Sequence, residues 1–246
     1  KIKNKIKSDF FIFNGDTLFN FNYLDLLLLS KEIKGQKIYL SLRKKLCRHL
    51  KRYSSFKFLG YPENLSALKN KEVVAPVHIR IKPTNICNHD CWYCAYHVSS
   101  LQLGSEMEYR DTIPKEKMEE IADDLISMGV KAVTFSGGGE PLLYKHLPGI
   151  MKKLSNGGVQ VASLTNGSNL KGKVADAFAK YASWVRISLD GYDNKSYSKA
   201  RGVNIDEFSK LISNMESFAK RKSKCVLGAV YIIDKHNYKH IFQICK

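Results

Sequence analysis

Three cysteines within eight residues, Cys87, Cys91 and Cys94 in the segment CNHDCWYC, are the side chains whose type and spacing speak most directly of chemistry. A C-x3-C-x2-C spacing puts three soft thiolates on one short loop. Three thiolates can hold three irons of a cubane 4Fe–4S cluster and leave the fourth iron open, whereas an electron-carrying cluster is normally fixed by four. A tetrahedral zinc site needs a fourth ligand, for which His89 or His97 is at hand. Zinc ribbons, however, pair two short Cys or His hooks, and the sequence holds no second hook. Spacing therefore favours iron–sulfur over zinc. Cys47, Cys225 and Cys245 are scattered, which is not the pattern of a secreted disulfide framework.

Such a loop needs a scaffold. From residue 77 onward, strand-like and helix-like segments alternate. The predicted strands are Val77–Ile81, Lys131–Ser136, Val159–Thr165, Trp184–Leu189 and Cys225–Ile233, each apolar or β-branched and mostly bounded by Gly, Asn or Asp. One helical pattern starts at Pro114, carries Glu116, Glu119 and Glu120 early, repeats Met118, Ile121, Leu125 and Met128, and stops at Gly129. Another runs from Ile205 to Lys222 with Phe208, Leu211, Ile212, Met215 and Phe218 on one face. The alternation implies an α/β fold with a parallel sheet and right-handed crossovers, open or curled toward a barrel. Chemistry in such folds belongs at the C-terminal ends of the strands. The cysteine trio, just beyond the first strand, is placed there.

The chain has 246 residues, 44% hydrophobic and 26% charged, which excludes disorder and collagen. Its formal charge is +17, and residues 1–76 hold 16 basic against six acidic side chains. Basic and acidic residues interleave and no aromatic-basic groove is evident, so a solvated surface is expected and no nucleic acid. Apolar runs such as Leu26–Leu29 are far too short to cross a bilayer, and no signal peptide is visible, so the sequence reads as a cytoplasmic protein. Two domains are expected: a basic N-terminal appendage over 1–60, including an amphipathic segment from Tyr39 to Tyr53, and a core over 61–246.

Cys87-x3-Cys91-x2-Cys94, with the aromatic Tyr93 before the last Cys, resembles the signature of the radical S-adenosylmethionine superfamily. Ser136-Gly137-Gly138-Gly139-Glu140-Pro141 after the second strand is similar to that family's glycine-glycine-glutamate motif, and Arg186-Ile-Ser-Leu-Asp-Gly191 to the fourth-strand motif of its branch of peptide maturases and cofactor-biosynthesis enzymes. The resemblance implies a partial (βα)6-type barrel, here cut short after the fifth strand. It also implies a 4Fe–4S cluster on the three Cys with one open iron, S-adenosylmethionine chelating that iron, and an electron donor such as flavodoxin or ferredoxin. The implied reaction is reductive cleavage to a 5′-deoxyadenosyl radical that removes a hydrogen atom from a small-molecule, sugar or peptide substrate.

It further implies a set of cofactor-binding residues. Gly137, Gly138 and Gly139 would let backbone approach S-adenosylmethionine, and Glu140 would accept a hydrogen bond from its amino group. Ser188 and Asp190 would hold ribose hydroxyls, although Asp190 reads equally as a turn residue. Asn166 would reach the ligand unless Asn-Gly is only a turn, Arg201 would pair with the ligand carboxylate, and Tyr93 would pack the adenine. Residues 8–45, with Phe10-Phe-Ile-Phe-Asn-Gly-Asp16, resemble an interior fragment of a sugar nucleotidyltransferase. They lack its Gly-rich nucleotide loop, so no transferase activity is expected: the segment reads as a gene-fusion remnant, packed as an appendage or loose, or else as a chance strand-turn match. The rival readings are a zinc-stabilised basic nucleic-acid-binding protein and a catalytically inactive truncation of a radical enzyme.

Overall fold

The computed structural model describes residues 62–96, 107–233 and 237–240. Segment 1–60, Tyr39–Tyr53, Cys47, Cys245 and His97 therefore lie outside the described residues. The chain divides into two compact units, Lys1–Lys69 and Asn70–Lys246. In the first, helix α1 (Pro62–Lys69) opens on proline, with Glu63 in its first turn and Lys69 in its last, charges that complement the helix dipole.

The second unit is an α/β layer structure. Strands β1 (His78–Ile81), β2 (Ala132–Phe135), β3 (Gln160–Thr165), β4 (Ala182–Ser188) and β5 (Val226–Val230) form one sheet in the order β1-β2-β3-β4-β5. Every neighbouring pair is parallel. Between the strands run α2 (Lys115–Ser127), α3 (Leu147–Asn156), α4 (Gly172–Tyr181), α5 (Asn194–Arg201) and α6 (Glu207–Ala219). Parallel strands paired in sequence order by right-handed crossovers must carry their helices on one face. That face is the core: Val133, Phe135, Val161, Val185, Ile187 and Leu189 pack with Met118, Met151, Leu154, Phe178, Leu211 and Phe218 of the helices. The five predicted strands and both predicted helices are found, trimmed by one to a few residues at their ends, except that the fourth strand begins two residues earlier, at Ala182.

Local chemistry sets the ends of the elements. Helix α2 starts after Pro114 and stops at Gly129, whose φ of +76° suits glycine. Helix α5 has a reciprocal cap. The Asp193 carboxylate accepts from Ser196 N at 2.7 Å, and the Ser196 hydroxyl accepts from Asp193 N at 3.0 Å. This cap, above all the Ser196 N–H, holds the Asp193 carboxyl below its ordinary range. A lowered folded-state value means that the stabilisation is present above the unfolded value and is lost as pH falls through the folded one. Asp193→Ala should therefore cost about 1 kcal/mol at neutral pH. In denaturant titrations at strongly acidic pH its stability should converge on that of the wild type.

Candidate functional site

Segment Lys82–Ile86 leaves β1 and runs against the end of β2. Gly139 N donates to Thr84 O and Glu140 N to Ile86 O, both at 2.8 Å. A Cβ at Gly139 would lie 2.0 Å from Ile86 O, and one at Gly138, whose φ is +67°, 2.8 Å from Asn85 Oδ1. At these two positions the absence of a Cβ admits the chain's own segment 84–86. Segment 108–112 braces the other side: Asn85 N donates to Asp111 O at 2.8 Å, and the Tyr109 hydroxyl donates to Cys87 O at 2.5 Å.

The loop so fixed carries the three cysteines, all free thiols, with Cys91 buried and Cys87 and Cys94 half-buried. Burial pushes the Cys87 thiol up to about 11, a backbone hydrogen bond at His89 eases it, and the charges of Glu140, Cys91 and Cys94 raise it further. Cys87 thus lies within electrostatic reach of the other two sulfurs. Among the described residues no three His, Cys, Asp or Glu side chains are gathered tightly enough to form a metal-holding set. The donor set itself, three soft thiols on one turn, suits an iron–sulfur cluster.

Helix α5 clamps this loop. Its last carbonyl, Arg201 O, accepts from Asp90 N at 2.9 Å, and a Cβ on Gly202 (φ +60°) would lie 2.3 Å from Asp90 O. The Arg201 side chain, 5% exposed, turns inward. Its Nη1 donates to Cys91 Sγ at 3.2 Å and to the Tyr93 hydroxyl at 3.0 Å, and its Nη2 donates to Ser188 O. Asp190 completes the group at 3.6 Å from Nη1. The Asp190 carboxylate accepts from the Tyr93 hydroxyl and from Ile232 N, each at 2.7 Å, and its left-handed φ of +46° turns the chain after β4. Arg201, Asp190, Tyr93 and the Ser188 carbonyl are thus brought together in one hydrogen-bonded group. Arg201 Nε and both ring nitrogens of buried His89 lack a partner among the described residues. Burial, reinforced by the Arg201 charge, pushes His89 down to about 4, so its ring is neutral at physiological pH.

Glu140 and Asn166 form the opposite wall. Glu140 Oε1 accepts from Leu142 N at 3.0 Å and from the Thr165 hydroxyl, while Oε2 accepts from Asn166 N at 2.7 Å. Burial raises the carboxyl's pKa and these donors pull it back. Oε2 carries one donor and keeps a second lone-pair direction. Asn166 Nδ2 donates to Asn88 Oδ1 at 2.9 Å, and Asn88 Nδ2 to Ser168 Oγ at 2.8 Å. These contacts tie the end of β3 to the cysteine loop. Sequence reasoning missed Asn88, Thr165 and Ser168; the only available signal was their position beside motifs already singled out. A cavity of about 710 Å³ adjoins the loop, lined by Trp92, Tyr93, Tyr192, Lys195, Lys199 and Ile232 among others.

A cysteine loop after β1, a glycine-glutamate turn after β2 and a Ser-Leu-Asp turn after β4 all lie at the C-terminal ends of one parallel, half-barrel sheet. Residues 81–246 match the model of the Radical SAM superfamily, and the chain belongs to that family. It is 32% identical over 169 residues to a probable GTP 3′,8-cyclase of Sulfolobus acidocaldarius, covering 67% of this chain and 50% of the relative. It is 31% identical over 117 residues to an S-adenosylmethionine-dependent nucleotide dehydratase of Lacinutrix mariniflava, covering 46% of this chain and 23% of the relative. Among solved structures, Streptococcus suis SuiB bound to S-adenosylmethionine superposes with a TM-score of 0.57 at 20% identity, over 91% of this chain and 48% of that one. That likeness shows the fold alone. The chain spans half the length, or less, of these relatives.

Proposed function

We propose that this chain is a radical S-adenosylmethionine enzyme in which Cys87, Cys91 and Cys94 hold a 4Fe–4S cluster with one open iron. The carrying observation is the convergence of the cysteine loop, Glu140, Asn166, Ser188 and Arg201 at the C-terminal ends of neighbouring strands. When bound, the cluster supplies the one electron that cleaves S-adenosylmethionine to methionine and a 5′-deoxyadenosyl radical, which takes a hydrogen atom from a substrate. Glu140 Oε2 accepts from the methionine amino group with its spare lone pair. Ser188 offers its half-buried hydroxyl to the ribose. Arg201, tied to Cys91 and Tyr93, fixes the loop and sets a positive charge beside the thiolates. Glycines 138 and 139 act indirectly, by seating the segment that leads to Cys87. The working compartment is the cytoplasm, and the electron donor is a flavodoxin or ferredoxin.

The test is anaerobic reconstitution with iron and sulfide, then dithionite and S-adenosylmethionine, with 5′-deoxyadenosine quantified against Cys91→Ala. Product from the wild type and none from the variant is the expected result. A colourless, zinc-loaded protein that makes no product under either condition would overturn the proposal.

A further inference from the structure

His89 is a buried polar side chain that the cofactor reading leaves unused. It stands between two of the cysteines, two residues after Cys87 and two before Cys91, and is 4% exposed. Its backbone N–H donates to Cys87, so the loop folds back on that sulfur at His89. The ring is held from the side of α5. Tyr197, itself fully buried, meets it at 86° with ring centres 6.0 Å apart, and is backed in turn by Phe208 at 5.5 Å. One turn further along α5, Arg201 reaches Cys91 Sγ, and its charge is felt at the His89 ring. The two buried side chains of this helix therefore serve the same loop. Arg201 steadies a thiol, and Tyr197 steadies an imidazole.

Neither ring nitrogen of His89 has a partner among the described residues. A buried donor left without one costs about 1–3 kcal/mol, a cost that leucine or phenylalanine in the same space would not carry. Buried polar groups in folded proteins are paired as a rule. The thiolates on either side of His89, and the sulfides they would carry with iron, are acceptors for an N–H. An imidazole keeps at least one N–H in either protonation state, so the ring can donate whether or not it is charged.

We infer that His89 donates a ring N–H to a sulfur of the 4Fe–4S cluster and thereby raises its reduction potential. The inference rests on the radical-enzyme reading for the presence of the cluster. Reduction adds one negative charge to the cluster, so a donor to its sulfurs stabilises the reduced form more than the oxidised one. His89 is thus neither a ligand to iron nor a contact of S-adenosylmethionine; it sets how readily the electron enters.

The test is a redox titration of the reconstituted full chain, followed by the electron paramagnetic resonance signal of the reduced cluster. His89→Phe keeps a ring against Tyr197 and removes the donor, whereas His89→Gln removes the ring and keeps an N–H. At a fixed potential the ratio of reduced to oxidised cluster should fall at least about tenfold in His89→Phe, a midpoint about 59 mV more negative. His89→Gln should recover a large part of that shift. If His89→Phe takes up no iron, His89→Leu is read in its place. Cluster retained by His89→Gln but by neither apolar variant upholds the donor role, and cluster lost from all three overturns it. Equal midpoints in wild type and the apolar variant would make the ring a core filler and overturn the inference, as would a His89→Gln midpoint no higher than the apolar one. So would a wild-type signal that S-adenosylmethionine leaves unchanged while altering that of His89→Phe, which places the imidazole on the fourth iron. A wild type that assembles no iron–sulfur cluster sinks the radical reading instead.

Discussion

Arg201→Met should destabilise the chain by about 3–5 kcal/mol, because it strands the Asp190 carboxylate in a site only 5% exposed. For a chain of this size that is a fall in Tm of the order of 10 °C. Tyr93 and Ile232 still donate to the carboxylate, but two neutral donors do not replace a buried countercharge. Removing both charges tests the cause: Arg201→Met with Asp190→Asn should recover most of the loss, as expected when the penalty is an uncompensated ion rather than missing bulk. A single variant within about 1 kcal/mol of wild type in urea titration would show that the pair is incidental. The same substitution removes the donor to Cys91 Sγ and the link to Tyr93, so cluster uptake should fall even below the midpoint temperature.

Gly139→Ala is the second large effect, and it comes from backbone rather than charge. Its Cβ would sit 2.0 Å from Ile86 O and 2.4 Å from Ile86 C, and no rotamer change can relieve a main-chain contact. Segment 82–86 must move off β2, breaking the hydrogen bonds of Gly139 to Thr84 and of Glu140 to Ile86. A loss of roughly 4 kcal/mol or more is expected, with iron content after reconstitution falling too, because Cys87 follows Ile86 directly. Gly149→Ala is the matched control. It lies within α3 with nothing within 4 Å of its Cβ, so alanine should stabilise by about 0.5–1 kcal/mol. Thermal melts of the two variants should shift in opposite directions.

The elements were legible because local rules govern them: β-branched runs between turn residues, and a proline-to-glycine span with a four-residue apolar repeat. The cysteine trio was legible for a similar reason, since its spacing lies within one loop. What the glycines do was not. A run of three reads as room for a ligand, and only the fold reveals that Ile86 fills the space at Gly139. Arg201 was picked out, but its partners lie in the cysteine loop, at Ser188 and at Asp190, and no local pattern connects them. Helix α5 has a weak apolar signal, with only Tyr197 and Arg201 buried along its length. His89 was weighed as a zinc ligand, yet its burial edge-on to Tyr197, with ring centres 6.0 Å apart, follows from α5 folding over the loop.

The strands pair in the order in which they are synthesised, so each can join the sheet as it leaves the ribosome without waiting for later chain. The clamp on the cysteine loop breaks this sequence, because Arg201 follows Cys91 by 110 residues. At translation speeds of about 5–20 residues per second, roughly 5–20 seconds pass between the emergence of Cys91 and that of the residue that seals it. During that interval the three thiols are open to oxidants and to stray metal ions. Their clamp forms only once α5 has emerged.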